Sequence, residues 1–161
     1  MIQLFTELQE KKNVRSNLSA LRASLKEATE EQKAQAIEFV RGHEDLVFGF
    51  LQEEDAKTRK NAALLLGDLA VQNALQPLWK AYTREQTLFV KSAYLEAMKA
   101  LHAEEILSQL KDRLAELEGE PVTEENRKHW EAELRALRAI LIQYEGIDTH
   151  HFDIKQKLSL I

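Results

Sequence analysis

Residues 58–69, TRKNAALLLGDL, recur in pattern 32 residues later as VKSAYLEAMKAL over residues 90–101. Thr58-Arg59 aligns with Val90-Lys91, Ala62 with Tyr94, Leu65 and Leu66 with Ala97 and Met98, and Leu69 with Leu101. The same interval links Leu46 to Leu78 and Leu110, and Phe50 to Tyr82 and Leu114. Two interleaved rows of helices therefore recur together. A helix pair of this kind cannot bury its apolar face alone, so successive pairs must stack. A fainter copy, VRSNLSALR, sets Val14-Arg15, Asn17 and Leu18 against Thr58-Arg59, Asn61 and Ala62 at a spacing of 44. The extra twelve residues fall where an additional helix surrounds Ile37.

Helical periodicity runs from Ile2 to about Tyr144. Ile2, Phe5 and Leu8 open a first helix, and Val14, Leu18, Leu21 and Leu25 mark a second. KEATEEQKAQAIEFVRG predicts a third, with Thr29 as N-cap and Gly42 as its stop. HEDLVFGFLQEE is a short fourth, and Asp55 caps the helix of the first repeat copy. Gly67 inside that helix costs about 1 kcal/mol relative to Ala, which points to close approach of a neighbouring helix. Asn73 is the expected cap of the next helix, with Pro77 in its first turn. A final helix from about Thr123 to Tyr144 carries one apolar seam of Trp130, Leu134, Leu137, Leu141 and Tyr144. Beyond Gly146, Phe152, Ile154, Leu158 and Leu160 alternate with period two, a strand signal. A lone strand needs a sheet from elsewhere. The expectation is an extended tail over 147–161 that begins a following domain or pairs with a partner.

The 161 residues suit one domain, and 44% apolar content is enough for a core. The absence of cysteine excludes disulfides, thiolate zinc sites and cysteine nucleophiles. No signal-peptide core and no membrane span are visible, and a cytoplasmic location is expected. The net charge of −5 argues against a globally basic, nucleic-acid-binding surface. Residues 1–41 carry seven bases and six acids, residues 42–101 seven and eight, and residues 102–147 six and eleven. The near-neutral first two-thirds still has lysines and arginines to gather on one face.

The acid-rich turns QEEDAKTR and TREQTLFVK, the Val/Thr-Arg/Lys pair opening each second helix, the small residues midway along it and Pro77 thirteen residues before Val90 resemble HEAT-like repeats, including the short variant of bilin-lyase-type proteins. The resemblance covers residues 43–114; Lys99 in place of Gly67 and the diverged copy after Leu110 depart from it. It implies an all-α fold over residues 1–146: a right-handed superhelix of antiparallel helix pairs, about nine helices in all. A fainter similarity, carried by NVRSNLSALR, the charged final helix and the HHF segment, is to the N-terminal helical extension of some bacterial RNA methyltransferases. That similarity implies an RNA-contacting accessory role, although no S-adenosylmethionine-binding sequence is present.

Four sets of residues are candidates for function. Arg15, Arg59 and Lys91 begin the second helices and would fall in line as an anion or RNA strip, thickened by Lys57, Lys60 and Arg84. The competing and preferred reading is a charge ladder with Glu53, Glu54, Asp55 and Glu85. His43-Glu44 is an isolated pair, and His102 and Glu104 point to different helix faces, so neither supplies the three convergent ligands a catalytic metal needs. His150 and His151 on a strand would face opposite ways. Among the aromatics, Tyr82 shares its repeat position with Phe50 and Leu114 and reads as core. Trp79 shares its position with Val47 and Lys111, an edge position, and is the better ligand-facing residue. No phosphate loop, GxSxG or HExxH is present. The expected function is a non-catalytic binding or scaffold module without cofactor, the front part of a larger bacterial cytoplasmic protein. Its partner would be a protein or adjoining domain, with RNA as the alternative and a metal-dependent HEAT-like enzyme a distant third.

Overall fold

The computed structural model describes residues 1–144 and 153–160, which form α-helices and single 3₁₀ turns with no strand among them. They divide into two compact units, Met1–Leu101 and His102–Ile161.

The first unit contains α1 (Ile2–Gln9), α2 (Val14–Leu25), α3 (Glu30–Gly42), α4 (Glu44–Gly49), α5 (Ala56–Asp68), α6 (Leu75–Arg84) and α7 (Leu88–Ala100). Their boundaries follow from local chemistry. Thr29 closes a reciprocal capping box with Gln32 ahead of α3. The Asp55 carboxylate accepts from the Thr58 amide and caps α5. Pro77 is the third residue of α6, where a backbone N–H has no partner within the helix. Asn73 is not the cap of α6. It lies in the 3₁₀ turn Gln72–Ala74, and its amide donates instead to Glu44 Oε1 at 3.2 Å.

The repeat is a packing code. α5 lies against α2 on one side and α7 on the other, and α6 packs on α7. Thr58 and Val90, Ala62 and Tyr94, Leu65 and Ala97, Leu66 and Met98, and Leu69 and Leu101 are all buried. Each fully buried side chain of leucine size contributes about 1.5–3 kcal/mol. Gly67 stands where α5 and α7 come closest: a Cβ there would lie 3.0 Å from the Ala97 Cα. Beyond α5 the chain closes through Ala70, held at φ 51°, with Ala70 N donating to Gly67 O and Val71 N to Leu66 O, both at 3.0 Å.

The second unit contains α8 (Leu107–Gly119), α9 (Arg127–Leu141) and α10 (Ile154–Ser159). Of the expected seam, Trp130, Leu134, Leu137 and Leu141 are buried, as α9 packs on α8, whereas Tyr144 is half-buried in the turn beyond Leu141, where the helix ends. Trp130 Nε1 donates to the Leu117 carbonyl at 2.6 Å, satisfying both groups inside the core. The helix starts later than Thr123, because Thr123 and Asn126 exchange side-chain hydrogen bonds in a turn before it. Arg113 grips the buried Glu133 through two hydrogen bonds of 3.0 and 3.2 Å.

The strand expected in the tail is a helix over Ile154–Ser159. Ile154 and Leu158 are four apart, a spacing that shares one face in a strand and in a helix alike. Asp153 decides the conformation by accepting from the Gln156 amide at 3.1 Å as N-cap. Ile154 is buried, Leu158 half-buried, and Leu160, the last member of the alternation, is 83% exposed. Lys157 secures the helix by donating to the Glu118 carbonyl and lying over the Trp130 ring. His150, His151 and Phe152 lie outside the described residues.

Candidate functional site

The three bases of the repeat row have unequal surroundings. Arg15 is exposed, with Nη1 3.4 Å from Asp55 Oδ1. Lys91 sits with Nζ 5.4 Å from the centre of the Tyr82 ring. Arg59 is locked on every side. Its Nε and Nη2 donate to Glu85 Oε1 and Oε2 at 2.9 Å each, and its Nη1 donates to the carbonyls of Glu53 and Glu54 at 2.8 Å each. In both arginine cases the acid lies in the turn ahead of the next second helix, Asp55 before α5 and Glu85 before α7. The row thus builds a charge ladder along its first two rungs.

Glu85 is the centre of that lock. It is buried, and besides Arg59 it accepts from the Thr87 amide at 3.2 Å and the Tyr94 hydroxyl at 3.2 Å. Burial pushes its carboxyl up, but the hydrogen bonds from Arg59 and Thr87 outweigh that and hold it below the ordinary carboxylate range. Tyr94 moves the other way, raised by burial and by the neighbouring Glu85 charge, and remains a neutral donor. The hydrogen bond to Glu85 raises Arg59 further. This carboxylate joins α5, the α6–α7 turn and α7, and Arg59 extends the junction to the α4–α5 turn.

The lock forms the end of a cleft of about 800 Å³ in the first unit. One wall runs from Phe48 and Leu51 to Glu53 and Glu54, the segment that Arg59 holds by its carbonyls. The other is a face of α6, where Pro77, Lys80, Ala81 and Arg84 follow one another at helical spacing. Lys80 and Arg84 are exposed, as are Glu53 and Glu54, and no ion pair joins them among the described residues. Trp79 is not on this cleft; it is half-buried and tilts against Tyr82 with ring centres 5.3 Å apart. Sequence reasoning named Arg59 and overlooked Pro77, Lys80 and Ala81. The signal for them was an α6 face on which only small or polar residues stand beside the buried Leu78–Tyr82 stripe.

The histidine-glutamate pair serves the helix junction. His43 stacks on Phe39, its Nδ1 lies 2.8 Å from the Phe39 carbonyl, and its Nε2 lies 2.6 Å from the Gln9 amide nitrogen. Glu44 receives Asn73. Among the described residues no three His, Asp or Glu side chains gather as a metal-holding group, and no helix is long and apolar enough to cross a membrane. Comparison with protein families, with curated proteins and with solved structures found no match.

Proposed function

We propose that this chain is a non-catalytic binding module, a HEAT-like stack of helix pairs working in the cytoplasm, and that it holds a segment of a protein partner in the cleft between the α4–α5 turn and α6. The cleft carries this reading. Its volume of about 800 Å³ falls among those of concave ligand sites, roughly 300–1,000 Å³. Its walls come from equivalent parts of two successive repeats, and the Arg59–Glu85 lock ties them together as a preformed site, which lowers the ordering cost of binding. A protein partner is favoured over RNA because Arg15 and Arg59 already face carboxylates and because Glu53 and Glu54 line the cleft.

The test is a selection of displayed random peptides on the full chain, followed by titration of the winners against wild type and Ala81→Arg. Ala81 is half-buried on the exposed side of α6, so arginine there fills the cleft without entering the core. Binding lost in Ala81→Arg supports the reading. Peptides indifferent to it, or salt-sensitive binding of poly(U) in place of peptides, would replace it.

A further inference from the structure

The charges of the cleft are sorted by wall. The segment from Phe48 to Glu54 brings two carboxylates and no base, while the α6 face brings Lys80 and Arg84 and no acid. Lys80 and Arg84 stand at i and i+4, where like charges repel along one helix face. Two adjacent carboxylates in one turn repel similarly. Neither pair is relieved by the other, since no ion pair joins Lys80 or Arg84 to Glu53 or Glu54 among the described residues. Each wall also carries apolar side chains, Phe48 and Leu51 on one and Pro77 and Ala81 on the other, and the small Ala81 leaves space for a side chain from outside.

The acidic wall is also held in place. Arg59 Nη1 bonds both the Glu53 and the Glu54 carbonyls, so the backbone carrying these carboxylates is tied to the same guanidinium that Glu85 orients. A charge on a fixed backbone costs less to order on binding than one on a loose loop. A polyanion would meet repulsion along one entire wall. A polycation would meet it along the other.

We infer that the cleft takes a peptide segment of a partner protein with mixed charge: an apolar side chain seated over Ala81, acidic residues toward Lys80 and Arg84, and basic residues toward Glu53 and Glu54. Charge complementarity on two opposed walls sets the direction of the segment as well as its identity. This inference rests on the binding-module reading above.

The experiment uses the peptides selected on the full chain and two wall reversals, Lys80→Glu with Arg84→Glu, and Glu53→Lys with Glu54→Lys. All four side chains are exposed, and unchanged thermal midpoints verify that the variants fold. Each reversal is expected to weaken the best peptide by about tenfold or more. A peptide with the matching charges reversed should regain affinity for the corresponding variant only. Peptides that Ala81→Arg abolishes but both reversals leave unchanged would overturn the charge assignment while the binding module stands. Peptides that Ala81→Arg does not affect, or a selection that yields no peptide, would overturn both.

Discussion

Arg59 and Glu85 meet across 26 residues of sequence through two parallel hydrogen bonds of 2.9 Å, with the carboxylate side chain 5% exposed and the guanidinium 17%. Breaking a buried pair from one side strands the remaining charge, which costs on the order of 3 kcal/mol. Glu85→Gln should approach that loss, because the amide presents only one acceptor oxygen to Arg59, Thr87 and Tyr94. Arg15→Ala, at a rung with both partners about half exposed, should stay within about 0.5 kcal/mol of wild type. Urea denaturation midpoints of the two variants compare the rungs directly. Equal losses would mean that the ladder acts as one network.

The same pair makes stability depend on pH in a defined direction. Glu85 is held below the ordinary range in the folded protein, whereas an unfolded glutamate titrates near about 4.3. A depressed carboxyl contributes stability that is complete above the unfolded value and lost as pH falls through the folded one. Asp55 adds in the same sense, lowered chiefly by the Thr58 hydroxyl, though it is exposed and screened. Unfolding free energy should therefore be flat near neutrality and fall below about pH 4.5. Glu85→Gln should be less stable throughout and show a shallower acid slope. Denaturation curves between pH 3 and 6 measure both.

How much of this was written in the chain depends on distance in sequence. The repeat exposed the buried positions of α5 and α7 because packing imposes a period, and a period survives in one dimension. Asp55 and Thr29 were legible as caps because their partners lie three residues away. The Glu85 lock was only half legible. Acids near Arg59 were apparent, but the Tyr94 hydroxyl stands where the first repeat copy has Ala62, and only folding brings that ring to Leu51 and Glu85. The cleft was illegible because it is defined by the space left between α6 and the turn ahead of α5. The tail was misread because an i, i+4 pair satisfies two periodicities, and the Asp153 cap outweighed the alternation.

Gly67 tests the repeat at its tightest point. Alanine would gain about 1 kcal/mol of helix propensity. Its Cβ, however, would lie 3.0 Å from the Ala97 Cα and 3.3 Å from the Ala97 Cβ. The obstacle is backbone, so α7 must move as a body, and overpacking of this kind costs about 1–3 kcal/mol. Gly67→Ala is expected to lower the thermal midpoint, and Gly67→Leu to lower it much further. A midpoint raised by Gly67→Ala would show that α5 and α7 can separate freely.

Ala70 offers the opposite sign. It holds φ 51° while closing the end of α5, and it is exposed, so its side chain adds nothing to the core. A left-handed residue with a Cβ carries a strain of roughly 1–2 kcal/mol. Glycine removes that strain but gives the unfolded chain extra freedom worth roughly 0.5–1 kcal/mol. The balance favours Ala70→Gly by about 0.5 kcal/mol, with the hydrogen bonds from Ala70 N to Gly67 O and Val71 N to Leu66 O retained. For a domain of this size the thermal midpoint should rise by one to a few degrees, about 1–3 °C. Ala70→Val, with a branched Cβ at the same φ, should lower it. A reversed order of the two variants would mean that the turn after α5 relaxes out of the left-handed region at little cost.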